Sequence, residues 1–343
     1  MLTLYRDSDA HHASYPPAQP LAHTWLYLMM GGINERLVKA IFPLWYLAGA
    51  LVTWWACRRW LAHPAALGWT LLLATTPLVL DHATLGAADL PLAVALLLGG
   101  VALVCWIESG ERRWILGGAV ALGAAAWIKL DGSYLGAGLL SAAVLVHASA
   151  CGPDRAQRRR VLRAGGLAFG LFAALVAPWL GSTRLLELND VPDLATFAHD
   201  RWALLQEGAR VIGAEVFFSY HNSSMGLLGG GYGIFWLICL GALGMGWRRL
   251  RHDAVLWFLL LAVAGGFLFY LAIYTVRPYY SVERYLLHLA PLALLAAARA
   301  SRGALHPHAR AGMPAAEAVG HPRSPTQPSS PQPPRRRRKG RRV

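Results

Sequence analysis

The sequence predicts an all-α fold, a polytopic transmembrane helical bundle of about nine spans with an added interfacial helix. Three observations predict it. The 343 residues are 56% hydrophobic and only 15% charged, and the mean hydropathy is +0.39. The apolar residues fall in long unbroken runs, many near the roughly 20 residues a helix needs to cross a bilayer core. The charges gather between those runs, and basic clusters recur at alternate connections, the pattern that orients multi-span proteins.

Residues 1–38 are expected to form an external segment. Its first part is polar, with Asp7, Asp9, His11, His12 and Ser14–Tyr15–Pro16–Pro17. It lacks the basic start and apolar core of a signal peptide. Residues 21–33 are apolar but too short to span, so they predict a helix lying on the membrane surface.

Residues 39–300 are expected to form the transmembrane domain. The first span covers 39–57 and ends at Arg58–Arg59; the second covers 66–80; the third covers 89–107, followed by Glu108, Glu111, Arg112 and Arg113. The fourth, 114–128, ends at Lys129, and the fifth, 133–148, precedes the most basic internal loop, Arg155 to Arg163. The sixth covers 161–180. A polar external loop follows over 181–225. The seventh covers 226–247, closed by Arg248, Arg249 and Arg251; the eighth covers 254–274; and the ninth covers 285–298. Residues 301–343 are rich in Pro, Ser and Arg without apolar periodicity, which predicts a disordered basic tail.

Loops after the odd-numbered spans carry the arginines, and the alternate loops carry Asp81, Asp89 and Asp131. The basic loops and C-terminus are therefore expected in the cytoplasm, and the carboxylate-bearing loops outside. Nine spans then place the N-terminus outside, so the chain reads as one that has lost a first transmembrane helix, or as one whose short polar start crosses unaided. Much of the net charge of +14 sits in the tail from Arg335 to Arg342. It points to anionic lipid, with nucleic acid the lesser reading. Cys57, Cys105, Cys151 and Cys239 have no metal-ligand or disulfide spacing and read as small buried residues.

The stretch Leu71 to Trp106 is the most informative. Two apolar runs flank a short connection from Asp81 to Asp89, and Leu90–Pro91 follows. An acid at the opening of a span is a functional candidate. The alternative is a helix cap, with Pro91 in the first turn. Other charges carry the same ambiguity. Lys129 and Asp131 read either as ligand contacts or as a local interfacial pair, and Arg277 and Arg284 either as phosphate contacts or as headgroup anchors. His288 lies one turn from Arg284 and reads first as a packing residue. His199, Asp200, Glu215 and His221 lack metal spacing. Gly229–Gly230–Gly231 has no preceding strand or following Lys–Ser/Thr, so it is not a phosphate loop.

Four motifs in this order resemble a known family. They are Tyr15–Pro16–Pro17 before an amphipathic helix, Ala88–Asp89–Leu90–Pro91–Leu92–Ala93 opening a span, Lys129 at a span end, and Glu283–Arg284–Tyr285–Leu286–Leu287–His288–Leu289–Ala290–Pro291 late in the chain. Together they resemble bacterial GT-C glycosyltransferases of the protein-mannosyltransferase and aminoarabinose-transferase superfamily, over roughly residues 10–298. The resemblance implies transfer of a sugar from a polyprenyl-phosphate donor to a glycan, lipid or protein acceptor at the outer face. It implies catalytic acids, for which Asp89, Asp7 and Asp9 are the candidates. It implies Lys129 and Arg284 at the lipid phosphate, with Tyr15, His288 and Asp131 beside them. Some relatives have an acid two residues before the Pro–Pro pair, where this chain has Ser14. No cofactor is specified, and a divalent metal is left open.

The chemistry suits such a set. A carboxylate takes the acceptor's proton, and cations stabilise the departing lipid phosphate, which the planar fork of Arg binds through two oxygens. Two rivals stand beside this reading. A lipid or sugar transporter would carry charge at mid-membrane and an internal repeat, and a non-catalytic scaffold would share the fold without the activity.

Overall fold

The computed structural model describes residues 16–185, 201–218, 231–276 and 282–302. Among them the structure is helical without a strand: α1 (Ala18–Met30), α2 (Glu35–Val38), α3 (Ile41–Arg58), α4 (His63–Ala74), α5 (Pro77–Leu85), α6 (Asp89–Ser109), α7 (Arg112–Ile128), α8 (Asp131–Ala150), α9 (Arg155–Leu185), α10 (Arg201–Phe218), α11 (Phe235–Gly246), α12 (Ala254–Val276), α13 (Val282–Leu287) and α14 (Ala290–Ser301). The expectations for the tail beyond residue 302, for His199, Asp200 and His221, and for Arg277 fall outside the described residues.

The centre of the bundle is α6. It is apolar on every side, which marks a helix surrounded by others, and most of its residues are buried. It packs against α3, α7 and α8. Gly99 and Gly100 let its neighbours close in: a Cβ on Gly99 would strike Leu122 of α7, and one on Gly100 would strike Leu292 of α14. Small residues serve helix contact in membranes because apolar burial gives no advantage over lipid. The outer helices turn apolar side chains outward instead. On α3, Leu44, Leu47, Leu51 and Trp55 form an exposed stripe at helical spacing, a surface suited to hydrocarbon and not to water.

Several expected spans differ. Among the described residues five helices are long and apolar enough to cross a membrane, and a sixth results if α4 and α5, bent by 60°, count as one. The second expected span breaks at Thr75–Thr76, because Pro77 drives the residue before it into extended backbone, and Thr76 has ψ 123°. Helix α5 runs on to Gly86 at φ 89°, so Asp81 and His82 are helical and the connection shrinks to residues 86–88. The ninth span is two pieces, parted at His288–Leu289 with Pro291 in the first turn of α14; α14 is a buried core helix. The seventh is reduced to the 12 residues of α11. The basic loop 155–163 is instead the start of α9, with Asp154 Oδ1 accepting from the Ala156 and Gln157 amides. Part of the expected loop 181–225 is the helix α10.

Helix α1 is 13 residues long, about 20 Å at 1.5 Å per residue, short of a ~30 Å core. It exposes Leu21, Trp25, Leu28 and Met29. Its first turn is tied to the connection before α6, where Gln19 Nε2 donates to the Gly86 carbonyl at 2.7 Å.

Candidate functional site: a buried carboxylate between two cations

The first turn of α6 brings Asp89 to the end of the bundle where three other helices terminate. The N-cap of α6 is Ala88, and no side chain caps the helix. Asp89 therefore does not cap; its carboxylate points into the bundle and is wholly buried. A buried charge persists only when paired and hydrogen-bonded, and each oxygen meets that condition twice. Oδ1 accepts from Lys129 Nζ at 2.9 Å and His288 Nε2 at 3.2 Å. Oδ2 accepts from Arg284 Nε at 3.1 Å and from its terminal nitrogen at 2.6 Å.

Each partner is delivered by a break in helix. Lys129 ends α7 in extended backbone, φ −154° and ψ 147°, which turns its side chain inward. The turn to α8 is tight because residue 132 is Gly: a Cβ there would run into the Ala125 carbonyl. Lys129 also pairs with Asp131 at 3.2 Å and lies over the Tyr285 ring, 4.8 Å from its centroid. Arg284 stands on α13, which Tyr232 helps to fix by donating from its hydroxyl to the Glu283 carbonyl at 2.7 Å. His288 sits in the turn between α13 and α14. Its Nε2 must donate to the carboxylate, so its Nδ1 accepts from the Tyr270 hydroxyl.

The structure thus joins Asp89, Lys129, Asp131 and Arg284, which the sequence placed at one membrane edge, and adds His288, which read first as a packing residue; Asp81, expected at the same edge, is exposed on α5. Asp7, Asp9 and Tyr15 lie outside the described residues. Two members were missed. Tyr270 is an aromatic in an apolar run, without a signal until its hydroxyl finds His288. His82 is buried with Nδ1 3.0 Å from the Leu78 carbonyl. A carbonyl only accepts, so Nδ1 carries a hydrogen, and Nε2 lies 3.8 Å from Asp89 Oδ2. Its register on α5 was hidden by the expectation of a loop.

Among the described residues the cluster sets two carboxylates, Asp89 and Asp131, against Lys129 and Arg284. Lys129 is nearly buried, whereas the Arg284 side chain is 45% exposed. The arrangement can hold an anion at the guanidinium while Asp89 fixes the cation's direction. Among the described residues no three His, Cys, Asp or Glu side chains gather as metal ligands, and the cations around Asp89 oppose a metal ion there.

These features define a polytopic helical membrane protein with its charge cluster at one end of the bundle. The fold is the GT-C type: the chain is similar to the crystal structure of ArnT from Cupriavidus metallidurans bound to undecaprenyl phosphate, with TM-score 0.53, 19% identity, 84% of this chain and 50% of that one covered. A second solved structure, the Archaeoglobus fulgidus oligosaccharyltransferase complex with zinc and sulfate, matches with TM-score 0.49 and 12% identity over 85% of this chain and 41% of that one. The chain spans about half or less of the length of these structures. No family model and no curated protein matches the sequence.

Proposed function

We propose that this protein transfers a sugar from a polyprenyl-phosphate donor to an acceptor at the outer face of the bacterial inner membrane, with the arginine-rich loops and the C-terminus cytoplasmic. The observation that carries this is the convergence of Lys129 and Arg284, 155 residues apart in number, on one buried carboxylate. Cations so held are in place before charge develops on a leaving phosphate, and stabilise it without reorganising. Asp89 accepts four hydrogen bonds and is flanked by two cations, so it is a poor proton acceptor. Its part is to aim Lys129 and Arg284. The acceptor's proton then goes to another carboxylate, for which Asp7 and Asp9 are the sequence candidates. As the bond from the anomeric carbon to the phosphate oxygen breaks, that oxygen keeps the electron pair. The acceptor oxygen forms the new bond and gives its proton to the carboxylate. The GT-C fold supports this reading, as does the polyprenyl phosphate named with ArnT.

The test is transfer of labelled sugar from polyprenyl phosphate in membranes, together with binding of polyprenyl phosphate to the purified protein. Arg284→Ala is expected to weaken binding about ten- to a hundredfold, the worth of a charged hydrogen-bonded contact. Arg284→Lys, which keeps charge and loses the fork, should fall between it and the parent. Unchanged binding in Arg284→Ala overturns the reading. Binding without transfer in the parent chain would favour the scaffold instead.

A further inference from the structure

His82 stands on α5, one turn before Gly86, and only 1% of it is exposed. Its Nδ1 lies 3.0 Å from the Leu78 carbonyl. Its Nε2 is buried and has no hydrogen-bond partner among the described residues, yet it faces Asp89 Oδ2 at 3.8 Å, just beyond hydrogen-bonding reach. Buried polar atoms are paired as a rule, and each exception calls for an explanation.

Both ring nitrogens face acceptors. A neutral imidazole has one hydrogen for two such sites, and an imidazolium has two. With one hydrogen on the Leu78 carbonyl, a second on Nε2 points at Asp89 Oδ2. Histidine is the side chain that ordinarily gains or loses this proton between about pH 5 and 8. The ionisable groups around the ring favour the gain. Asp89 faces it from α6, and Lys129, Arg284 and His288 meet that same carboxylate. Lys39, just before α3, lies along Gly86 at the end of α5. On α3 the Tyr46 hydroxyl donates to the Ala74 carbonyl, and α4 carries His63 at its far end. Gly231, whose carbonyl accepts from the Leu78 amide, leads into Tyr232, and that hydroxyl donates to the Glu283 carbonyl. Asp81, on α5 itself, is exposed.

Oδ2 is also the oxygen that Arg284 holds. An anion drawn to the half-exposed guanidinium shares the cation and loosens its hold on Oδ2. It also adds negative charge where, among the described residues, two carboxylates already face Lys129 and Arg284. One proton on His82 Nε2 answers both changes. We propose that His82 is a positioning residue of the site: it takes up a proton when a lipid phosphate binds at Arg284, and so keeps Asp89 ionised and in place. The proton comes from the aqueous side and returns there when the phosphate leaves, and no other bond is made or broken. The proposal rests on the phosphate reading above.

The experiment uses the full chain in lipid nanodiscs, titrated with geranyl phosphate by calorimetry in buffers of low and high ionisation heat. The difference between buffers counts the protons taken up on binding. His82→Gln offers an amide hydrogen that does not titrate, and thermal unfolding without ligand checks that it folds; His82→Asn replaces it if it does not. At about pH 7.5 the parent should take up about one proton more than the variant, and the ratio of parent to variant affinity should rise about tenfold from about pH 8 to about pH 6. Ionisation of the phosphate itself is common to both proteins and cancels. His63→Gln, on exposed ground at the far end of α4, should match the parent. Equal proton counts in parent and His82 variant, or affinities that differ by the same factor at every pH, would mean a packing role and overturn the proposal. If Arg284→Ala still weakens binding in that case, the phosphate reading stands. Loss of the Arg284 effect overturns both. Inorganic phosphate should bind more weakly than geranyl phosphate; equal binding would assign the site to free phosphate and overturn the lipid headgroup as its ligand.

Discussion

At Asp89 the chain carries a charge that lipid and protein interior alike disfavour, and it survives by accepting four hydrogen bonds from residues 40 to 199 positions away. Asp89→Asn keeps the shape and removes the charge. Were the residue a helix cap, Asn would replace it at little cost. Since it is a counter-ion, the change takes one carboxylate from the nearly buried Lys129, and breaking such a buried pair costs about 3–5 kcal/mol. A marked drop in the melting midpoint in detergent is expected; the parent midpoint would contradict the counter-ion role. Adding Lys129→Met to Asp89→Asn should recover part of the loss, because the nearly buried ammonium that had relied on the lost carboxylate is then gone. Asp89, Lys129 and Arg284 were legible in the sequence because charges stand out against apolar runs. Tyr270 and His82 were not, because their importance lies in where a hydroxyl and a ring nitrogen point, which depends on the packing of α12 and α5.

At the scale of elements, the site depends on where helices stop. Lys129 enters it from a break between α7 and α8, His288 from one between α13 and α14, and Asp89 follows the turn at Gly86. Hydropathy finds long apolar runs and misses such interruptions, which is why second and ninth spans were read as continuous. The cues were present in Pro77, which drives Thr76 into extended backbone, and in Pro291, which has no amide hydrogen to give the turn before it and so suits the start of a helix. The turn at Gly132 is open to test. Gly132→Ala raises helix propensity but drives a methyl into the Ala125 carbonyl, and overpacking of this kind costs about 1–3 kcal/mol. The variant should melt lower and bind polyprenyl phosphate less well, since Lys129 shifts with the turn. Gly117→Ala on α7, where the added Cβ meets nothing within 4 Å, should melt at or above the parent. Equal midpoints for the two variants would mean the close turn carries no strain to relieve.

The whole molecule has two polar ends of different make. Around Asp89 the cations converge inward on one acid. At the other end of α6, Glu108 accepts from Arg59 at 2.7 Å, Trp60 at 2.9 Å and Arg299 at 2.8 Å, while Arg299 also pairs with Asp253 at 2.8 Å. Arg112, Arg113, Arg158 and Arg159 stand exposed in the segments that follow α6 and α8. Excess arginine at one end resists crossing the membrane, so the Glu108 end is expected in the cytoplasm and the Asp89 end outside, the side on which the proposed transfer would take place. Single cysteines decide the matter in intact cells treated with an impermeant thiol reagent. Cys57, Cys105 and Cys239 are buried, and the half-buried Cys151 is replaced by Ala to give a quiet background. Ala87→Cys, beside Asp89, should label without lysis, and Arg158→Cys should label only after it. The reverse pattern would put the cations of Asp89 on the cytoplasmic side and remove the outer face as the place of transfer. Labelling of both in intact cells would mean the two ends are not separated by the bilayer, which the apolar stripe on α3 and the length of α6 require.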